Sequence, residues 1–179
     1  MNTVSRGPLV SIVTPSYDQS RYIEDTIRSV LTQDYPNLEY LVLDGGSTDG
    51  TVEILKKYEE RLRWISEKDR GQADAINKGF QLAKGDILGW LNSDDTYLQG
   101  TIRKVVQYFE THPDVGMVYG EGYHVDAQGH RLGRYPTEPF DAQRLQETCF
   151  ICQPTVFLRA EVFREVGPLD ISLLYSPDY

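Results

Sequence analysis

The sequence holds only two cysteines, three histidines and no surplus of positive charge among its 179 residues, and each shortage removes a class of function. Cys149 and Cys152 lie in one Cys-Phe-Ile-Cys stretch. With no second cysteine pair, and with His112, His124 and His130 far upstream, a tetrahedral zinc site lacks ligands. The two thiols are read as structural, since free cysteine is most often simply buried. Lysine and arginine number 18 against 27 acidic residues, a net charge of −9. Nucleic-acid partners require a basic face and are not expected. A nucleotide is not excluded, because a bound cation can supply the missing positive charge. No apolar run approaches the ~18 residues of a transmembrane helix, and the N-terminus has no signal-peptide core. Cytoplasmic residence is the expectation; attachment at the inner face of the membrane stays open, although no basic amphipathic helix speaks for it. Finally, there is no GxxxxGK[ST], and no GxGxxG after the first apolar run. Phosphate-loop kinases and dinucleotide dehydrogenases are therefore set aside.

What is present is an ordinary globular composition, 40% hydrophobic and 25% charged, on a chain long enough for one domain with a real core. Residues 9–13 read as a strand. Ile23, Ile27, Val30 and Leu31 then fall on one helical stripe, with Asp18 or Ser20 as its cap. Leu38 to Leu43 is a second strand and Gly45 to Gly50 a tight loop. A helix carrying Val52, Leu55 and Tyr58 follows, and a strand at Leu62 to Ile65. Residues 72–84 predict a helix with Ala73, Ile76, Phe80 and Ala83 inward and Gly85 as its C-terminal cap. Ile87 to Leu91 is a buried strand. Ile102, Val105, Val106 and Phe109 mark another helix, Val115 to Tyr119 a strand, and residues 122–134 a hairpin around Asp126-Ala127-Gln128-Gly129. Alternating β and α predicts an α/β fold: a Rossmann-like open, mostly parallel sheet with helices on both faces. The second half is more irregular. Residues 1–179 are read as a single domain.

Four loops follow predicted strand ends: Thr14-Pro15-Ser16-Tyr17, Asp44 to Gly50, Glu67 to Gln72, and Asn92-Ser93-Asp94-Asp95. In a doubly wound sheet such loops converge on one edge, where ligands bind. Their chemistry is that of a nucleotide site. Tyr17 offers an aromatic face to a base, and Asp44 a carboxylate to base or ribose. Gly45 and Gly46 let the backbone approach closely. Arg70 can meet a phosphate, and Asp94 and Asp95 can hold a hard cation. Adjacent residues leaving a strand point to opposite sides, so one carboxylate can take a metal while its neighbour turns to a ligand hydroxyl. Blander readings stand beside these: Tyr17 as core, Asp44 as a loop cap, Arg70 as a surface ion pair, Asp74 as an exposed helix residue.

Several runs, in consistent order over residues 9–179, resemble the family-2 glycosyltransferases. They are Val13-Thr-Pro-Ser-Tyr17, Ser29 to Gln33 with Tyr35 to Glu39, and Asp44-Gly-Gly-Ser-Thr-Asp-Gly-Thr51. Asp74-Ala-Ile-Asn-Lys-Gly79, Gly85-Asp86 with Asn92 to Asp95, and Gln153-Pro154 with Val156-Phe157 continue the match. Gly167-Pro-Leu-Asp170 with Tyr175-Ser-Pro-Asp-Tyr179 completes it. The resemblance implies a glycosyltransferase A fold and inverting transfer from a nucleotide-diphosphate sugar, a UDP-sugar first among the choices. A divalent metal, manganese or magnesium, is implied with it. The acceptor would be a glycan or a lipid-linked saccharide, in polysaccharide or cell-surface glycan synthesis. By the same resemblance Tyr17 packs on the nucleobase and Asp44 is the first acid of the Asp-Asp-Gly-Ser motif. Asp95 contacts the metal, Asp94 the ribose or sugar, and Asp178 is the catalytic base; Asp74 faces the sugar. Three positions depart from the pattern: Gly45 for the motif's second Asp, Asn92 for the first metal-motif acid, and Pro177 for the acid before the catalytic Asp. The chain stops one residue after Asp178, where family members continue, so a C-terminal truncation is expected. A nucleotidyltransferase is the rival enzyme reading, although it would favour a Gly-rich loop with a basic residue after the first strand. A non-catalytic nucleotide-sugar-binding remnant is the rival outside catalysis.

Overall fold

A computed structural model of the chain describes residues 7–172. Strand β1 (Val10–Ser16) is central. On one side it pairs in parallel with β2 (Leu38–Asp44), and β2 with β3 (Arg63–Ser66). On the other side it pairs in parallel with β4 (Ile87–Trp90). Beyond β4 lie β8 (Phe157–Arg159), antiparallel to it, and β5 (Met117–Val118), giving the order β3-β2-β1-β4-β8-β5. The chain leaves β1 towards β2 and returns to its other side with β4. The crevice between the C-terminal ends of β1 and β4 is thus the topological switch point at which open α/β sheets bind ligands.

Alternation along the strands feeds two cores. Val10, Ile12, Tyr40, Val42, Ile87 and Leu91 meet Ile23, Ile27 and Val30 of α1 (Ile23–Leu31), Leu55 of α2 (Thr51–Lys56), and Ile102, Val106 and Phe109 of α4 (Thr101–Thr111). On the other face Val13, Leu41, Leu43, Leu88 and Trp90 meet Ala75, Ile76 and Phe80 of α3 (Gln72–Leu82) and Ala160 of α6 (Ala160–Val166). The expected open sheet with helices on both faces is therefore what forms. The expected hairpin is β6 (Tyr123–Val125) with β7 (Arg131–Arg134), antiparallel and outside the main sheet. Between it and β8 run the single turn α5 (Ala142–Leu145) and a 3-10 turn at Gln153–Thr155.

Several local expectations are corrected. Neither Asp18 nor Ser20 caps α1, whose N-cap is Tyr22 without a side-chain bond. Both residues are tied instead to the loop after β2. Asp18 N–H donates to Ser47 Oγ (2.8 Å), Thr48 N–H to Asp18 Oδ1 (2.9 Å), and Ser20 N–H to Asp49 Oδ2 (2.8 Å). Gly85 does not cap α3, which ends at Leu82 as Ala83 turns extended (φ −67°, ψ 142°). It is buried against β1 instead, where a Cβ would stand 2.7 Å from the backbone nitrogen of Ser11. The strand expected over 115–119 shortens to two residues, and β8 with α6 was not anticipated.

Candidate active site

The strand-end loops meet as anticipated. A cavity of about 650 Å³ is lined by Pro15, Ser16 and Tyr17 after β1 and by Gly45 after β2. The loop after β3 adds Lys68, Asp69, Gly71 and Gln72, and the loop after β4 adds Asn92, Ser93 and Asp94. That volume is in the range of small-molecule sites, about 300–1,000 Å³. Backbone bonds stitch the rim: Gly45 N–H to the Ser16 carbonyl (2.8 Å) and Glu67 N–H to the Asp44 carbonyl (2.9 Å).

Tyr17 is 64% exposed, so it is not core; its ring is offered to the cavity. Asp44 is buried and its carboxylate is an anchor. Oδ2 accepts from Gly46 N–H (3.1 Å), Ser47 N–H (3.0 Å) and the Ser66 hydroxyl (2.6 Å), while Oδ1 takes the Ser47 hydroxyl. This explains the buried charge physically, since burial without partners would be costly. It leaves Asp44 beneath the loop rather than in the lining. Thr14 is also fully buried, its hydroxyl 3.0 Å from that of Tyr40, and does not reach the cavity. Arg70 and Asp74 form a pair across one helical turn, Nη2 to Oδ1 at 2.9 Å, with Arg70 N–H also donating to Asp74 Oδ2 at 3.1 Å. The Arg70 guanidinium and then its N–H hold the Asp74 carboxyl below the usual range. Neither residue lines the cavity.

The turn after β4 is clamped from α1. The Thr26 hydroxyl, fully buried, lies 2.9 Å from the Ser93 carbonyl and 2.8 Å from that of Asp95. The two consecutive acids part company here. Asp94 is exposed and lines the first cavity, whereas Asp95 lines a second one of about 340 Å³. Burial, and next the charge of Asp94, push the Asp95 carboxyl up to about 6. The second cavity is walled by Trp90, Tyr123, His124, Tyr135, Cys152 and Pro154, among others. Gln72 and Asn92 line both cavities and bridge them: Gln72 Nε2 donates to Asn92 Oδ1 (2.6 Å), and Asn92 Nδ2 to Gln153 Oε1 (3.0 Å). Gln153 in turn donates to the Trp90 carbonyl (3.0 Å). The buried Ser16 hydroxyl and Trp90 indole N–H have no protein partner among the described residues, and each sits in the lining of one cavity. Sequence reasoning did not single out Lys68, Asp69 or Gln72. Their signal was their place in a strand-end loop already marked as site-forming.

Both cysteines are free; burial pushes the Cys152 thiol up, in keeping with a structural role. No group of three or more His, Cys, Asp or Glu side chains forms a metal cage among the described residues. No helix among them is long and apolar enough to cross a membrane. Asp178 lies outside the described residues, as does the Tyr175–Tyr179 motif. The segment leading to them is held by Asn77, buried on α3: its Nδ2 donates to the Leu169 carbonyl and its Oδ1 accepts from Leu169 N–H, both at 2.8 Å.

Comparison with known proteins agrees with this geometry. Chondroitin synthase of Escherichia coli is 29% identical over 180 residues, covering 99% of this chain and 26% of that protein. Among solved structures, residues 1–349 of TarS from S. aureus superpose with a TM-score of 0.74 at 20% identity, over 95% of this chain and 52% of that one. TarS has also been solved in complex with UDP and with UDP-GlcNAc. The mannosyltransferase PcManGT of Pyrobaculum calidifontis, in complex with GDP-Man and Mn2+, superposes with a TM-score of 0.71 at 23% identity, over 92% of this chain and 48% of that one. At these identities the structures establish the fold, a glycosyltransferase A fold. The chain spans 58% and 57% of the length of two curated relatives that align over nearly all of it. The model of Glycosyl transferase family 2 matches residues 11–167, nearly the whole described chain with its strand-end loops, and the chain belongs to that family.

Proposed function

We propose that the chain transfers a sugar from a nucleotide-diphosphate donor, a UDP-sugar first, to a hydroxyl of a glycan or lipid-linked saccharide acceptor, with inversion, in polysaccharide or cell-surface glycan synthesis. The observation that carries this reading is the pair of cavities on either side of the Gln72–Asn92–Gln153 bridge, with Asp94 in one and Asp95 in the other. The first cavity has a tyrosine face, close glycine backbone and a lysine, which suits a nucleotide. The second has aromatic walls and polar side chains, which suits saccharide rings. Chondroitin synthase, a relative by sequence, is in name a maker of polysaccharide. TarS and PcManGT hold UDP-GlcNAc and GDP-Man on the same fold.

The residues present fit a hard divalent cation. Asp95 offers a carboxylate to it in the second cavity, the Asn92 amide oxygen being taken by Gln72, and the remaining ligands would be of the kind that substrate phosphates and water provide. Bound there, manganese or magnesium would neutralise charge on the departing diphosphate. The chain's own residues do the rest. Tyr17 stacks on the base and Asp94 takes a ribose or sugar hydroxyl. Asp178, carried over from the family resemblance, accepts the proton of the acceptor hydroxyl as its oxygen bonds to the anomeric carbon. The bond to the diphosphate breaks on the opposite face, which inverts the configuration.

The test is calorimetric titration with UDP, GDP and dTDP, each with and without manganese. Metal-dependent binding of one nucleotide is expected; a folded chain that binds none contradicts the proposal. Gly45 and Asn92 in place of acids favour a second reading, a domain that binds nucleotide-sugar without turning it over. Slow hydrolysis of the bound nucleotide-sugar by the purified chain separates the two, since the binding-only domain releases no free sugar.

A further inference from the structure

At the position where the family motif has its second acid, this chain has Gly45, buried at the floor of the first cavity. Its backbone is not in the left-handed region, so conformation alone does not demand glycine. Space does. A Cβ built at Gly45 would stand 2.9 Å from Asp69 Oδ2, 3.3 Å from Asp69 Cγ and 3.2 Å from Tyr17 Cδ2. The volume that a side chain at position 45 would take is filled by a carboxylate arriving from the loop after β3.

That carboxylate is oriented and half used. Asp69 Oδ1 accepts from Gly71 N–H at 2.9 Å, closing a tight turn in which Gly71 adopts φ +113°. Oδ2 has no protein donor among the described residues, and Asp69 lines the cavity beside Tyr17, Gly45 and Lys68. An acceptor with one free oxygen therefore stands at the edge of the tyrosine face on which a base would stack.

We propose that Asp69, whose carboxylate fills the space left open at Gly45, reads the base, its Oδ2 accepting the imide N3–H of a uracil-type base. This rests on the nucleotide-binding reading given above. A carboxylate accepts and cannot donate. Uracil and thymine present a single ring N–H at that edge, matching one free oxygen. Cytosine presents a lone pair on N3, which the carboxylate repels. Guanine presents two adjacent N–H groups that call for both oxygens, and Oδ1 is committed to Gly71. A hydrogen bond to a charged group corresponds to a discrimination on the order of 10–100-fold.

The test is calorimetric titration of the whole chain with UDP and with CDP, both in manganese. The wild-type chain is expected to prefer UDP by at least about tenfold. Asp69→Asn keeps an oxygen for Gly71 N–H but turns an amide N–H to the base. It should cut the UDP:CDP affinity ratio at least about tenfold, with CDP gaining relative to UDP. A merely structural role for Asp69 would weaken both nucleotides alike and leave the ratio unchanged, and that result overturns the assignment. The double variant Gly45→Asp with Asp69→Ser restores a carboxylate from the neighbouring loop and keeps a turn acceptor; it should recover the preference for UDP. Wild-type chain that binds UDP and CDP equally also overturns the role of Asp69 while leaving the nucleotide site standing. Wild-type chain that binds neither removes the proposed function along with it.

Discussion

Asn77→Ala should free one segment of the chain without unfolding the rest. Asn77 is buried on α3 and makes two 2.8 Å bonds to the backbone of Leu169, which lies 92 residues later in sequence. Truncation removes both bonds, each contributing about 1 kcal/mol net. It also strands the Leu169 N–H and carbonyl at a cost of about 1–3 kcal/mol apiece if they stay buried. Staying put is therefore the dearer outcome. Letting go sacrifices the packing of the half-buried Leu169 side chain against the α3 face, about 1–1.5 kcal/mol. The balance favours local release, with a total change of about 3 kcal/mol. Amide hydrogen exchange at Leu169 reads it directly and should accelerate by on the order of 100-fold or more. The urea midpoint should fall by about 1–2 M, since the same free energy is lost from global unfolding at an m-value of about 1–3 kcal/mol/M, while the transition stays cooperative because β1 to β4 and their helices keep their cores. Because the released segment leads to Asp178, sugar transfer should fall as well. A folded Asn77→Ala chain whose Leu169 amide exchanges at the wild-type rate would refute the clamp.

The remaining perturbations separate structural roles from binding roles. Asp44→Ala leaves the Gly46 and Ser47 N–H groups and the Ser66 hydroxyl without their acceptor; a loss of about 3–4 kcal/mol in urea denaturation is expected, and a loss under ~1 kcal/mol contradicts the anchor role. Tyr17→Ala, at an exposed position, should leave stability within ~0.5 kcal/mol while weakening nucleotide affinity roughly 5–100-fold through lost stacking; equal affinity excludes Tyr17 from the base site. Asp95 carries the pH dependence. Its folded pKa, about 6, lies above the 3.8 of an unperturbed aspartate, because burial and the Asp94 charge oppose ionisation. In the metal-free chain the penalty is absent below pH ~4, grows between the two values and is complete above ~6. Asp95→Asn should therefore stabilise the metal-free chain at pH 7 by about 1–2 kcal/mol, a figure reduced for partial solvent contact, and leave it unchanged at pH 4. The same variant should lose metal-dependent nucleotide binding. A destabilised variant at pH 7, or one still requiring manganese, counts against the assignment.

The sheet and its helices were legible because their signals are local and repeated. Ile23, Ile27 and Val30 recur at helical spacing because one stripe of α1 meets β1 and β2. The strand runs are apolar on both sides because helices cover both faces. What could not be read is what other parts of the chain decide. Phe157-Leu158-Arg159 is too short to show a strand period; it is a strand because β4 and β5 offer it partners on both sides. Asp18 and Ser20 look like helix caps, yet the loop after β2 supplies closer partners, and tertiary bonds win over local ones.

The site divides along the same line. That four loops converge followed from their position at strand ends, and Tyr17 and Asp94 do reach the cavity. Asp44 was singled out as an acid in a motif, but its carboxylate points down into four serine and glycine donors. Motif position alone could not tell a residue that touches a ligand from one that fixes the loop which does. Asp69 shows the converse. A Gly45 in place of an acid reads in isolation as a lost contact. Only the 2.9 Å approach of Asp69 Oδ2 to the missing Cβ shows that the charge sits in the space instead, carried by a neighbouring loop. The sequence signal for such an exchange is paired: an acid absent from one strand-end loop and an acid present, two residues before a glycine, in the next. It follows that restoring the acid at position 45 alone should be unfavourable here. Gly45→Asp without a change at Asp69 brings two carboxylates into one small volume, so it should weaken UDP binding rather than improve it, whereas tighter binding by that single variant would show that the two positions do not share the space.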